Sequence, residues 1–307
     1  MKRISGRKKT ALVVVAGVWM AGAAAMAQDA QPGGEPVHVP IVVHVKGDAA
    51  LALTPDMLQV KVGRKMTPVT GLQPAQGVEL AFVIDDSLRA SSANQWSEVR
   101  AFFDSLPPGV QLFVGYMEEG TVKAATPGFT TDREVADKTL HIPMGVPGGN
   151  ASPYFCLSDL VQHWPSRETG KARIVMMITN GVDNYYTTNP LDETSPYVDK
   201  AISDSQKAGV MVYSIYSGDA GVGGARADTS GQNYLIKVAD ATGGQEYYQG
   251  MGNPVSFRPF LEQFRTELQH VWELRFDVAG GGTQSLKVGS TQKGVKISSP
   301  DTLYLGQ

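Results

Sequence analysis

Two aspartates and a serine, Asp85, Asp86 and Ser87, stand where an apolar run stops. The run "ELAFVID" (79–85) is almost entirely apolar, which is typical of a parallel strand covered on both faces. Carboxylates beside a hydroxyl offer the hard oxygen ligands that Mg²⁺ and Ca²⁺ prefer. The same residues could instead hold a hydrolase nucleophile. A third interpretation is a polar turn at the end of a buried strand.

The elements that must position these residues alternate between strand and helix. Apolar periodicity predicts strands at 79–85, 110–117, 172–179 and 210–217, and helices at 91–106, 152–164, 195–208, 232–242 and 256–271. Serines predict three of the helix starts, with Ser91 or Ser92, Ser152 and Ser195 as N-caps. Such alternation predicts an α/β fold, a Rossmann-like doubly wound sheet whose strands are mostly parallel.

Short β-like segments lie on both sides of this region, at 37–45 and 58–69 before it and from 272 onward after it. Pro40 favours an edge strand. Because isolated pieces of two or three strands are marginal in water, we expect the two sets to pair as a small β-rich flanking module. The predicted divisions are a signal peptide (1–27), a linker (28–36), an N-terminal β segment (37–76), the α/β domain (77–269) and a C-terminal β segment (270–307).

The first 27 residues have the pattern of an export signal. Five basic residues between positions 2 and 9 precede the apolar run "TALVVVAGVWMAGAAAMA", which closes with Ala25-Met26-Ala27. An uncleaved membrane anchor is the alternative, but the Ala-x-Ala ending favours cleavage. We therefore expect a mature chain from about Gln28, periplasmic or extracellular, with no membrane span after the signal is removed.

Charge and cysteine content exclude several classes of protein. The chain has 27 basic and 30 acidic residues, and removal of the five basic residues of the leader leaves 22 against 30. A mildly acidic chain without a basic stripe is a poor candidate for binding nucleic acid. Cys156 is the only cysteine, so an exported chain would have neither an internal disulfide nor a cysteine-based metal site.

Four segments, taken in order, resemble the von Willebrand factor type A domain, and most of all its exported bacterial subgroup with β segments on both sides. They are "FVIDDSLRAS", "GGNASPYFCLSDLV", "IVMMITNGVDN" and "VADATGGQEYY". The first resembles the strand leading into Asp-x-Ser-x-Ser. The third resembles a strand ending in a Ser-Asp-Gly-x-Asp-Asn type sequence. The likeness covers roughly residues 37–305 and implies a domain that binds other proteins.

The resemblance implies a metal-ion-dependent adhesion site, in which Mg²⁺ holds a partner's carboxylate. Asp85 and Ser87 match its first two ligand positions, whereas Arg89 stands at the third. The threonine of the second loop corresponds to Ala151 or, with a shift of one residue, to Ser152. The aspartate of the third loop is replaced by Asn180, and Asp183 follows as a further candidate oxygen ligand.

These departures leave two interpretations of the site. In one, the site is degenerate, no cofactor binds, and the Arg89 guanidinium pairs with Asp85 or Asp86 in place of the metal. In the other, Asp85, Ser87 and Ser152 or Asp183 bind Mg²⁺ or Ca²⁺ weakly, because each lost anionic ligand weakens a divalent site. Ser152 as an N-cap and Asp183 as a turn residue have ordinary structural explanations.

A serine hydrolase using Ser87 is the enzymatic alternative, because "DDSL" looks superficially like the Gly-Asp-Ser-Leu esterases. Those enzymes need a downstream Gly-x-Asn-Asp and an Asp-x-x-His, and neither occurs in this sequence. The five histidines are His38, His44, His141, His163 and His270, and none has the spacing of a catalytic base. We therefore expect no enzymatic activity.

The remaining signals concern partners. Tyr185 and Tyr186 follow Asn180 at the predicted ligand-facing edge and, together with Asp86, are candidates for contact with a protein partner. The alternative is that the two tyrosines pack on their own loop. The glycine-rich stretch 218–231 lacks the Gly-x-Gly-x-x-Gly pattern and is predicted to be a mobile loop without a nucleotide. The sequence thus predicts an exported, non-enzymatic domain for protein binding or assembly, with a structural scaffold as the alternative.

Overall fold

The computed structural model describes residues 34–46, 53–146, 149, 152–186, 195–218, 224–250 and 253–306. The predicted signal peptide, most of the linker and Ala151 lie outside these ranges. Among the described residues, no helix combines the length and the apolar character needed to cross a bilayer.

The strands are β1 (Glu35–Val45), β2 (Leu58–Val62), β3 (Lys65–Thr67), β4 (Val69–Pro74), β5 (Val78–Asp85), β6 (Val110–Glu118), β7 (Thr121–Ala124), β8 (Ala172–Thr179), β9 (Val210–Tyr216), β10 (Glu246–Tyr247), β11 (Val271–Val278), β12 (Gly282–Ser290), β13 (Val295–Ser298) and β14 (Thr302–Leu305). The helices are α1 (Trp96–Asp104), α2 (Arg133–Asp137), α3 (Pro153–Gln162), α4 (Pro196–Lys207), α5 (Gly224–Thr242) and α6 (Arg258–Leu268).

A six-stranded sheet forms the centre of the molecule, with the strand order β10-β9-β8-β5-β6-β7. All neighbouring pairs are parallel except β6 and β7, which form an antiparallel hairpin. Counted along the chain, the order is 3-2-1-4-5-6, and its direction reverses between β5 and β8. The predicted doubly wound, mostly parallel sheet is confirmed. In such sheets, ligands bind beyond the carboxyl ends of the strands at this switch point.

Helices cover both faces of the sheet. As a result, β5 and β8 are buried along almost their whole length. On one face, Phe82 and its neighbours pack against α1 and α6 in a single hydrophobic cluster. On the other face, Val83 and its neighbours pack against α3, α4 and α5. A strand buried on both faces needs apolar residues at successive positions, which explains the continuous apolar runs in the sequence.

The two ends of the described chain form a β-sandwich of two four-stranded sheets, with the orders β13-β1-β11-β4 and β14-β12-β2-β3. β1 pairs with both β11 and β13, and β2 pairs with β12, so each sheet combines N-terminal and C-terminal strands. Val39, Ile41, Val60, Phe276 and Leu286 are among the residues of its core.

The sandwich contacts the amino-terminal edge of the central sheet. A cavity of about 280 Å³ is lined by Pro40 and Trp272 of the sandwich and by Ala172 and Gly209, which lie at the starts of β8 and β9. The sandwich strand β11 is also bonded to the segment that leads from β4 into β5. In this contact, Ala75 donates its N–H to the Val271 carbonyl at 3.0 Å. The site predicted at Asp85 therefore lies at the opposite edge of the sheet.

The prediction that Pro40 marks an edge strand is wrong, since β1 lies between β11 and β13. The physical reason is local. β13 pairs with β1 only over Val42–Val45, so Pro40 has a ladder partner on the β11 side alone, where it is opposite Glu273. A proline is tolerated in this strand because its missing N–H falls outside the pairing with β13.

The glycine-rich stretch 218–231 is not a loop throughout, because α5 already begins at Gly224. Two of its residues explain the difference. Ala227 packs against Val182 of the loop after β8. A Cβ atom on Gly231 would lie 2.2 Å from the Asn180 carbonyl oxygen, so only glycine allows the helix to approach this loop so closely. Glycine here serves close packing, which composition alone does not distinguish from chain flexibility.

The predicted helix 91–106 is also shorter than expected. Residues Ala90–Gln95 form a 3₁₀ turn before α1, and Gln95 occupies the N-cap position of α1. Neither Ser91 nor Ser92 is therefore the α1 cap. Ser152 and Ser195, in contrast, cap α3 and α4 as predicted, each accepting backbone N–H groups through its side-chain oxygen.

Glu98 of α1 caps the N-terminus of α6. Its carboxylate accepts hydrogen bonds from the Phe257 and Arg258 N–H groups, at 2.7 and 2.8 Å, and from the Ser256 hydroxyl at 2.9 Å. Because the first N–H groups of a helix have no partner within the helix, this carboxylate satisfies donors that α6 would otherwise leave open.

We expect Glu98→Ala to lower the free energy of unfolding by about 1–3 kcal/mol, because it removes charge-assisted bonds to half-buried donors. Chemical denaturation measures the change. Glu262→Ala, on the exposed side of α6, is the matched control and should have an effect near zero. Equal effects of the two substitutions would show that the cap contributes nothing.

Candidate functional site

Asp85 is fully buried at the carboxyl end of β5, next to the switch point. Its Oδ1 atom accepts hydrogen bonds from the Ser87 hydroxyl at 2.7 Å and from the Ser87 N–H at 3.0 Å. Its Oδ2 atom accepts the Thr179 hydroxyl at 2.7 Å. A carboxylate taken from water needs such donors, because an unpaired buried charge is very costly.

Thr179 is the member of this cluster that the sequence analysis missed. It is the last residue of β8, is fully buried, and lies beside Asp85 because β5 and β8 are neighbours in the sheet. The available signal was its position: a hydroxyl ends the apolar run immediately before Asn180. The bond between Thr179 and Asp85 ties the first loop to the third.

In the third loop, after β8, polar side chains accept hydrogen bonds from N–H groups of the same loop. Asn180 accepts the Val182 N–H at 2.9 Å through its Oδ1 atom. Asp183 accepts the Tyr185 N–H at 3.1 Å with one oxygen and the Ser195 hydroxyl at 2.5 Å with the other. Asn180 and Asp183 are both buried, so these bonds fix the loop against the start of α4.

Ser152 and Tyr154 bring the second loop to the same place. Ser152 is fully buried and accepts the Tyr154 N–H at 3.3 Å. The Tyr154 hydroxyl donates to the Gly181 carbonyl at 2.8 Å. Burial, with a smaller contribution from Asp183, raises the pKa of Tyr154 well above its ordinary value, so the phenol remains a donor at any physiological pH.

Asp86 points away from Asp85 and anchors a different segment. Its Oδ1 atom accepts the Met144 N–H at 3.1 Å, and its carbonyl accepts the Gly145 N–H at 2.9 Å. His141 Nε2 lies 3.4 Å from the same carboxylate oxygen without hydrogen-bond geometry. The His141 ring stacks on Tyr116 with ring centroids 3.7 Å apart. The segment from His141 to Gly145 is thus fixed to the first loop.

Three apolar side chains of this segment face solvent. Ile142, Met144 and Val146 are 57%, 79% and 74% exposed, whereas Pro143 between them is buried. We call Ile142, Met144 and Val146 the apolar ridge. Hydrogen bonds to Asp86 hold the ridge in place, so its exposure is built into the fold. Contiguous exposed apolar surface on a soluble domain commonly marks an interaction site.

The turn between β6 and β7 lies beside the ridge. Glu119 and Gly120 both have positive φ, 47° and 80°, as in the two-residue turns that favour Asn-Gly. A small cavity of about 260 Å³ lies between this turn and the ridge, and its lining includes Asp86, Glu118, Glu119 and Val146.

The predicted partner residues Tyr185 and Tyr186 lie on the other side of the turn. Tyr185 is 61% exposed, and its ring packs edge-on against Phe155 of α3, with centroids 5.1 Å apart. Phe155 in turn lies under Gly120 of the β6–β7 turn. Tyr186 is half-buried and donates its N–H to the Asp183 carbonyl.

Arg89 is the residue before the 3₁₀ turn that leads into α1. It is exposed, and its carbonyl accepts the Ser92 N–H at 2.9 Å at the start of the 3₁₀ turn. The contacts given above for Asp85 and Asp86 come from Ser87, Thr179, Met144, Gly145 and His141. The pairing of Arg89 with either carboxylate stays a prediction.

Hydrogen bonds bring together four of the residues proposed from sequence, or the loops that carry them: Asp85, Ser87, Ser152 and Asn180. Ser87 and Thr179 join at Asp85, and Tyr154 links the Ser152 loop to the loop of Asn180. Asp183 is bound instead to Ser195 at the α4 cap, and Asp86 to the ridge. The described residues contain no group of three His, Cys, Asp or Glu side chains placed to hold a metal ion.

No known family matches the chain, and no curated protein is detectably similar to it. Among solved structures, it is similar to a von Willebrand factor type A protein from Catenulispora acidiphila, with 11% identity and a TM-score of 0.43 over 88% of this chain and 74% of that one. An aerotolerance-related membrane protein from Bacteroides fragilis matches with 13% identity and a TM-score of 0.41, over 62% of this chain and 98% of that one.

The von Willebrand domain of the type V pili tip protein Mfa5 from Porphyromonas gingivalis matches with 9% identity and a TM-score of 0.43, over 63% of this chain and 95% of that one. The predicted doubly wound fold rests on the strand order and the switch point themselves.

Glu119 gives a prediction about strain at this surface. A left-handed backbone costs a residue with a side chain roughly 1–2 kcal/mol, and asparagine tolerates it better than glutamate. We expect Glu119→Asn to raise the free energy of unfolding by about 1 kcal/mol. Glu119→Gln keeps the strain, removes the charge, and should give no such gain. Denaturant unfolding of both variants checks this, and an equal gain in both would assign the effect to charge.

Proposed function

We propose that this chain is an exported, non-enzymatic domain that binds a protein partner through the carboxyl edge of its central sheet, without a metal ion. The observation that carries the proposal is the apolar ridge, three side chains that the first loop holds exposed beside the switch point. Tyr185 and Phe155 extend the same edge with aromatic surface. Aromatic residues and methionine are enriched in protein interfaces, which supports a protein as the ligand.

The donor set at the switch point does not fit a divalent cation. Asp85 is the only carboxylate among the five family positions, and both of its oxygens already accept hydrogen bonds from neighbouring side chains. Asn180 contributes a neutral oxygen that accepts a backbone N–H. Mg²⁺ requires near-octahedral oxygen ligands, and fewer anionic ligands weaken any such site. A degenerate adhesion site is therefore part of the proposal, and weak Mg²⁺ or Ca²⁺ binding is the alternative that an experiment must decide.

The surroundings of Ser87 support a non-enzymatic role. Its hydroxyl donates to a carboxylate oxygen of Asp85 and is buried, with the residue 5% exposed. A serine nucleophile instead needs a base positioned to take its proton and access to a substrate.

Export and the absence of nucleic acid among the partners rest on sequence. The basic and apolar leader supports export to the periplasm or the cell exterior. The acidic balance of the remaining chain argues against a polyanionic ligand.

Capture of envelope proteins tests the proposed surface. We expect residues 28–307 to retain one or more proteins in both 5 mM EDTA and 5 mM Mg²⁺ (about the same amount in each), and Met144→Ser to lose them. Met66→Ser is the matched control, because Met66 is 62% exposed but lies on β3 of the sandwich. Capture that survives Met144→Ser would contradict the surface and favour a structural scaffold. Capture that requires Mg²⁺ would contradict the metal-independent mode.

Calorimetric titration with each metal tests the degenerate site. We expect the unaltered protein to bind neither Mg²⁺ nor Ca²⁺ at micromolar affinity. The double change Arg89→Ser with Asn180→Asp should create binding, because it removes a cation and restores one hydroxyl and one anionic ligand. The thermal midpoint of the double variant should then rise with added metal, since a ligand of the native state stabilises that state. Micromolar binding by the unaltered protein would make metal-dependent adhesion the favoured function.

A further inference from the structure

We propose that the cavity between the apolar ridge and the β6–β7 turn receives a lysine or arginine side chain of the partner protein. This inference rests on the proposed function and adds the chemistry of the partner. The apolar neighbours of that basic residue would pack on Ile142, Met144 and Val146. The family's metal site, by contrast, would hold an acidic residue.

The charge of the cavity points to a cation. Its lining includes the carboxylate residues Asp86, Glu118 and Glu119, and none of the described residues that line it is basic. Within the part of the chain that the structure describes, Glu118 and Glu119 make no ion pair. Glu118 is half-buried, so its negative charge is screened less by solvent than that of a fully exposed side chain.

The size of the cavity points to a single side chain. Its volume is about 260 Å³. Sites for whole small molecules are usually larger, roughly 300–1,000 Å³. Both ends of a long basic side chain find complementary surface here, because its methylene groups can lie along Val146 while its charged end reaches Glu118 and Glu119.

The apolar ridge supplies the apolar contact that excludes water from the ion pair. Exposed ion pairs contribute little in water, whereas pairs surrounded by apolar contact are less screened. When a partner covers the ridge, water leaves the mouth of the cavity, and the pair forms in a lower dielectric. A protein segment with a basic residue between apolar ones meets both conditions at once, which a free metal ion does not.

Fluorescently labelled peptides Gly-Ser-Leu-Xaa-Leu-Ser-Gly, with Xaa as Arg, Lys, Gln or Glu, are the probe. Fluorescence polarisation with residues 28–307 measures their affinities. We expect the Arg and Lys peptides to bind at least ten-fold more tightly than the Gln peptide, and the ratio to fall as salt increases. Equal affinities for the Arg, Gln and Glu peptides would overturn the inference.

Charge variants locate the effect. The double variant E118Q/E119Q should reduce the preference for Arg over Gln to within about two-fold, whereas E262Q, a matched change on α6, should leave it intact. E118K/E119K should reverse the preference toward the Glu peptide, a gain that a misfolded protein would not produce. A preference that survives E118Q/E119Q would overturn the cavity as the site.

The Met144→Ser variant separates this inference from the proposed function. It should weaken all four peptides by a similar factor and keep the ratio between them. If Met144→Ser abolishes capture of envelope proteins but the peptides show no charge preference, the binding surface stands and the basic residue is wrong. If Met144→Ser changes neither capture nor peptide binding, the apolar ridge is not the binding surface, and the result for E118Q/E119Q alone decides whether the cavity binds a basic residue.

Discussion

The buried carboxylate of Asp85 is the constraint on which this edge of the molecule depends. It lies where the strand order reverses, and its two oxygens are satisfied by Ser87 on the same loop and by Thr179 on the neighbouring strand. Removing any of these donors would take a hydrogen bond from a buried carboxyl group, which costs more than losing an exposed contact. The cluster therefore fixes the ends of β5 and β8 relative to each other, and the loops that follow begin from a rigid base.

From that base, the two adjacent aspartates serve different purposes. Asp85 points inward and joins two strands, whereas Asp86 binds the backbone at Met144 and Gly145 and so positions the ridge. The third loop is fixed separately, through Asp183 to Ser195 and through the close approach of Gly231 to Asn180. The oxygens of Asp85, Asn180 and Asp183, which the sequence suggested as metal ligands, accept hydrogen bonds from the protein itself. At this edge, the surface features open to a proposed partner are the exposed apolar ridge and the carboxylates of the β6–β7 turn.

Much of the fold could be predicted from sequence because burial on both faces demands unbroken apolar runs. β5 and β8 are such runs, and Ser152 and Ser195 cap the helices that follow nearby loops. The errors arise where a residue type has two physical uses. Pro40 breaks no ladder bond because β13 ends before it, and Gly231 serves close packing in a helix. The ridge escaped notice because three apolar residues in a loop have no periodicity, and only the bonds to Asp86 show that they are held outward.

The two edges of the central sheet have different surroundings, and this difference assigns their roles. The sandwich, built from both ends of the described chain, packs against the amino edge and shares its buried residues, since Val42 and Val271 belong to the same cluster as Phe82. That arrangement brings the two ends of the described chain together in one sandwich, which packs against the starts of the parallel strands and stabilises them. The carboxyl edge instead carries the strained turn at Glu119, the ridge and the exposed ring of Tyr185. Backbone strain and exposed apolar area both lower stability. In proteins, both are commonly found at binding sites. These features are the reason why we place the proposed binding surface at the edge opposite the sandwich.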